Sequence, residues 1–295
     1  MKNKSRLATL AAVALTAMAA LQFFKIVDLF LPFISGTQYS GIVKSNIGTA
    51  VLAIIVGIPL FLAFLFAALA SWKSLKAEND TLSLHKITYA PRALSLLSTF
   101  KVIDSIVLVF IMILLFSGTV ASAGAGFSGH FKSILGFYNW DNMGLWNAIK
   151  GALDGGISKL NQPITVLFRL VIMLLVLANA VVVMLTWKSI SACQDEIIKT
   201  KENPEASLNV KPPVVLPLIV GGINAVVGLV LVIDMFIALA TKGTLGLGIT
   251  GLMMLATAGY LITTALIFKD TEYTPIITEA SIKSNAFSED NTDAE

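Results

Sequence analysis

The sequence predicts an all-α integral membrane protein with six transmembrane helices, and three observations predict it. The chain is 56% hydrophobic and 13% charged, about half the charge of a soluble domain of ordinary composition. Six apolar runs, at 7–34, 46–71, 92–117, 164–187, 214–241 and 245–268, each reach the length of about 20 residues that a helix needs to cross a bilayer. None alternates apolar and polar residues over about ten positions, as a barrel strand would. Helices remain, because a helix satisfies all of its backbone hydrogen bonds within one segment.

The first run follows the basic start MKNKSR. That start, with LATLAAVALTAMAAL behind it, also has the form of a secretory signal peptide. Apolar character resumes after Lys25 and Asp28 through LFLPFI, so an uncleaved first helix is the expectation. The second run ends at Trp72-Lys73, and a basic segment over 72–92 leads into the third. The segment 118–160 opens on Gly, Ala and Ser and then places Phe131, Leu135, Tyr138, Leu145, Trp146 and Ile149 at roughly helical spacing. With Trp140 and Trp146 suited to the headgroup zone, it predicts an amphipathic helical segment on the outer surface. The fourth run ends at Trp187-Lys188, and a second basic segment over 188–213 leads to the fifth and sixth. The polar, acidic tail reads as disordered. The organisation is thus an N-terminal membrane half (1–117), an outer connector (118–160), a C-terminal membrane half (161–268) and a tail (269–295).

Charge sets the expected orientation. The N-terminus, the two basic segments and the tail hold thirteen Lys and Arg residues; the opposite loops hold five; Lys25, Lys101 and Arg169 lie inside apolar runs. Under the positive-inside rule both termini are cytoplasmic, in a plasma (inner) membrane. The net charge of +3 is then an orientation signal and no nucleic-acid footprint, which needs a concentrated basic face.

Internal repetition is the richest signal. A shift of 115 residues lays Trp72, Lys73, Ser74, Ala77 and Asp80 on Trp187, Lys188, Ser189, Ala192 and Asp195. Trp at the headgroup level with Lys just beyond it suits the cytoplasmic end of a span, so Trp72 and Trp187 are read as interface anchors. KVIDSIVLVF at 101–110 falls over NAVVGLVLVI at 224–233. The second and third helices therefore correspond to the fourth and fifth, as parallel-repeat hairpins about an axis along the membrane normal. FKIVD at 24–28 repeats as FKVID at 100–104. The first helix then reads as the outgoing arm of a further hairpin, with the sixth helix as its incoming arm. Lys25 stands nineteen residues past Arg6 while Lys101 stands nine past Arg92, so equal depth requires the first helix to tilt or to project into the cytoplasm.

These Lys-x-x-Asp pairs are the chemistry-bearing residues. A charge at the bilayer centre costs about 2.5–3.5 kcal/mol on insertion scales. At i,i+3 spacing Lys25 with Asp28, and Lys101 with Asp104, share a helix face and can pair. Asn179, Asn224 and Asp234 place further polar groups in other spans, as do Gln22 and Arg169. The expectation is a polar core facing protein or water, serving an ion or proton pathway, a polar-ligand site, or an interhelical lock. Arg169, near an outer helix end, reads as snorkelling to the surface.

Other chemistry is not signalled. Cys193 is the only cysteine, and His85 and His130 are far apart, too few ligands for a metal site. There is no phosphate-cradling loop, H-E-x-x-H or G-x-S-x-G. The expectation is no enzyme, no metal and no cofactor, but a membrane transport or channel component for an ion or small solute. The alternative is a non-catalytic structural or regulatory subunit of a larger membrane complex. Its partners are the lipid bilayer and either other membrane subunits or further copies of the chain, not nucleic acid.

Overall fold

The computed structural model describes residues 2–35, 50–51, 53–76, 84–116, 162–202, 210–242 and 248–269. Its regular structure is helical, with no strand among the described residues. The long helices are α1 (Lys2–Ser35), α2 (Ile58–Leu75), α3 (Tyr89–Phe116), α4 (Gln162–Glu202), α5 (Val215–Lys242) and α6 (Gly248–Lys269); a π turn over Ala53–Gly57 leads into α2 and a 3-10 turn over Lys86–Thr88 into α3. Five of them, α1, α2, α4, α5 and α6, are long and apolar enough to cross a membrane, the architecture of a multi-pass integral membrane protein. The expected sixth span falls on α3, which carries Arg92, Lys101 and Asp104 and does not belong to those five. The connector with Trp140 and Trp146, and the tail beyond Lys269, lie outside the described residues.

Proline marks where helices begin. Pro59, Pro91, Pro163 and Pro217 each sit in the first turn of α2, α3, α4 and α5, where a missing N–H costs no intrahelical bond and the fixed φ favours the helix. The far end of α4 was expected as a connecting segment after Trp187, yet the helix runs on to Glu202. The reason is amphipathic: Ile190, Cys193 and Ile198 are buried along one side of this extension, at the spacing of a single helix face.

Each long helix packs on its neighbours in sequence, and α6 returns to α1, so the six close into a ring. The close pairs are α1–α2, α3–α4, α5–α6 and α6–α1; α2–α3 and α4–α5, the expected hairpins, touch only lightly. One core joins the helices, with Leu15 and Met18 of α1, Phe64 of α2, Leu94 of α3, Trp187 of α4 and Tyr260 of α6 inside it. The α5–α6 crossing is the tightest. A Cβ on Gly228 would lie 2.9 Å from the carbonyl oxygen of Gly251, and one on Gly251 would lie 2.8 Å from that of Gly228. Only glycine permits backbones to approach so closely.

Candidate functional site

The two Lys-x-x-Asp pairs are inside the protein. Lys25 is 3% exposed, Asp28 1%, Lys101 6% and Asp104 9%. Each of the four is engaged by a polar or electrostatic contact, and Lys25 and Lys101 lie within electrostatic range of each other. The ring therefore brings a charged pair from α1 and one from α3 into a common buried layer.

Register explains how this layer arises. On α1 the buried side falls on Met18, Gln22, Lys25 and Leu29; on α3 it falls on Leu94, Ser98, Lys101 and Ser105. Both advance by four, three and four residues, the spacing of a seam between helices packed at a shallow angle. α5 presents the same seam as Pro217, Gly221, Asn224 and Gly228, all buried. Lys25, Lys101 and Asn224 thus hold one seam position on three alternate helices of the ring, and Asp28, Asp104 and Val227, all buried, hold the position one turn further on.

Depth is fixed by contacts outside the layer. On α1, Thr16 accepts a 3.0 Å hydrogen bond from Trp72 Nε1 of α2. On α3, Arg92 forms a 2.7 Å ion pair with Asp195 of α4. Lys25 stands nine residues beyond Thr16, and Lys101 nine beyond Arg92. A second contact, a 2.9 Å hydrogen bond between His85 Nε2 and Glu202, fixes the start of the α3 segment against the end of α4. The two contacts together make α3 and α4 antiparallel.

Unpartnered amides complete the polar interior. Gln22, fully buried, donates from Nε2 to the carbonyl of Gly57 at 3.3 Å, while its Oε1 has no hydrogen-bond partner. Asn224 is 0% exposed, and neither of its amide atoms has a partner. An orphaned buried polar group costs about 1–3 kcal/mol, so Asn224 is a place where water or a solute group would be gained.

The other sequence candidates fall elsewhere. Asn179 is half-buried on α4 and engaged by a contact. Asp234 is exposed on α5 and adjoins Met235, which abuts Gly248, the first residue of α6. It therefore lies at a helix-end level, outside the buried layer. The two expected interface anchors part company: Trp72 is 37% exposed, whereas Trp187 is 1% exposed and stacks on Tyr260 with ring centroids 6.1 Å apart. Tyr260 in turn accepts a 2.9 Å hydrogen bond from Gln194 Nε2. Gln194 and Ser98 were not singled out in the sequence, since a lone amide or hydroxyl in an apolar run carries no charge signal. Among the described residues no group of three His, Cys, Asp or Glu side chains converges.

No family model, no curated protein and no solved structure matches the chain. The functional reading therefore rests on the buried layer alone.

Proposed function

We propose that the chain is a six-span membrane transport or channel component for an ion or small polar solute, with Lys25, Asp28, Lys101 and Asp104 as the groups that meet it. One observation carries the reading: Lys25 and Asp28 of α1 and Lys101 and Asp104 of α3 are all buried in one layer, each engaged by a polar or electrostatic contact. Charged side chains within membrane spans are rare, face the bundle interior or a water-filled cavity, and mark ion pathways and proton relays. In this reading both termini are cytoplasmic, α3 is the sixth span, and the shared seam of α1, α3 and α5 descends from a repeated, parallel unit.

A specific observation supports the alternative of a structural or regulatory subunit. Ile219, Ile223, Val226, Val230, Ile233 and Ile237 of α5 are all exposed, and they advance by alternating steps of four and three, which suits a further helix packed at a shallow angle. The test is flux. The purified chain is placed in liposomes with a pH-sensitive dye inside, and proton entry is driven by a potassium gradient with valinomycin. Transport predicts dye acidification above empty liposomes and its loss in a folded variant with all four charged residues replaced by Leu. No flux of protons, sodium, potassium or chloride from wild type, with the quadruple Leu variant equally stable, would leave the subunit reading in its place.

A further inference from the structure

The outer side of α1 and α6 carries a second site, independent of whether the charged layer conducts. An open groove of about 650 Å³ runs between them, lined by Leu10, Ala14 and Ala17 of α1 and by Leu252, Ala256 and Gly259 of α6. Its floor is smooth because its residues are small: a Cβ on Gly259 would meet only that of Ala14, at 3.7 Å. The one polar side chain in the lining, Thr263, already donates its hydroxyl to the carbonyl of Gly259 at 2.6 Å. The groove offers no free hydrogen-bond donor and its lining suits hydrocarbon.

One end of the groove is different. Arg6 is one helical turn before Leu10 on the same face of α1, and it is exposed. Lys269, the last residue of α6, is also exposed. From the Ala14–Gly259 contact, Arg6 lies about 12 Å along α1 and Lys269 about 15 Å along α6 at 1.5 Å per residue. The termini share one side of the membrane in the proposed topology, so both cations stand at the same end of the α1–α6 pair. We propose that this groove binds an anionic phospholipid of the bilayer, an acyl chain lying against the alanine and glycine floor and the phosphate between Arg6 and Lys269. Charge complementarity selects this occupant: a partner helix of apolar character would have no use for two cations at that end, whereas a basic residue near the surface favours anionic lipid.

The test is native mass spectrometry of the full chain released from nanodiscs of equal phosphatidylglycerol and phosphatidylcholine content. The proposal expects phosphatidylglycerol retained over phosphatidylcholine by roughly thirtyfold, the scale expected of two basic residues at a membrane surface. The preference should vanish in R6Q/K269Q, whose substitutions are exposed and leave the core untouched. Ala17→Phe should cut retention of both lipids by filling the groove, with thermal stability in detergent unchanged. Equal retention of the two lipids by wild type would overturn the proposal. So would a preference that survives R6Q/K269Q, or an Ala17→Cys variant that cross-links to a second copy and so shows a helix in the groove.

Discussion

The seams of α3 and α5 present the same geometry with different chemistry. Both bury positions spaced four, three and four apart, but α3 places Lys101 and Asp104 where α5 places Asn224 and Val227. The difference follows from the neighbour. α5 lies so close to α6 that Gly221, Gly228 and Gly251 have no room for a side chain without displacing atoms within about 3 Å, and a lysine stem between Gly221 and Gly228 would have to displace α6. α3 packs on α4 without such glycines in its seam, using Ser98 and Ser105 instead, and leaves space for a long side chain. A charged layer can therefore be built on α1 and α3, while α5 supplies an amide.

The comparison breaks most sharply at the carboxylates. Asp104→Ala, or Asp28→Ala, leaves a buried lysine without its helix-face partner and should lower stability by about 3–5 kcal/mol. Replacing Lys101 and Asp104 together by Leu should cost much less or nothing, since an apolar pair needs no partner. Denaturation in detergent of the single and double variants checks both. If Asp104→Ala were as stable as wild type, the pairing would be wrong. At the glycine side, Gly251→Ala should destabilise by about 1–3 kcal/mol, because the added methyl overpacks a backbone crossing. The same change at Gly222, whose Cβ would meet nothing within 4 Å, should leave the melting temperature unchanged or slightly raised.

Much of this was legible in the sequence, for identifiable reasons. The apolar runs located the long helices because bilayer length is a strong constraint, and Lys25, Asp28, Lys101 and Asp104 were legible because a charge well inside a span has nowhere to go but inward. Asp234 obeys the same rule only if it is deep, and its depth depends on where α6 begins, which sequence alone does not align with α5. Trp187 shares its Trp-Lys-Ser motif with Trp72, yet α4 continues past it as an amphipathic helix and Tyr260 covers it. The motif that the two tryptophans share does not extend to shared surroundings. The closeness of α5 and α6 was hinted at by their glycines, but small residues at such spacing occur in many bundles and do not name the partner.

Smaller effects sharpen the contrast. Asn224→Leu removes two orphaned amide atoms while keeping the number and branching of side-chain heavy atoms. It should raise stability by about 1 kcal/mol if the amide stands empty and lower it by a similar amount if water or solute completes it, which calorimetry with and without added solute would separate. Trp72→Phe should lose only its hydrogen bond to Thr16, about 0.5–1.5 kcal/mol.

The most direct measurement concerns whether α1 and α3 share one buried layer. In a Cys193→Ala background, Lys25→Cys and Lys101→Cys together should be joined within a single chain by a short, membrane-permeant bis-maleimide, and the link should shift the protein's mobility on a denaturing gel. Each single-cysteine variant should react slowly with a lipid-soluble maleimide, as a side chain inside the ring would. Rapid labelling of both positions from the lipid phase, with no intramolecular link, would contradict the account.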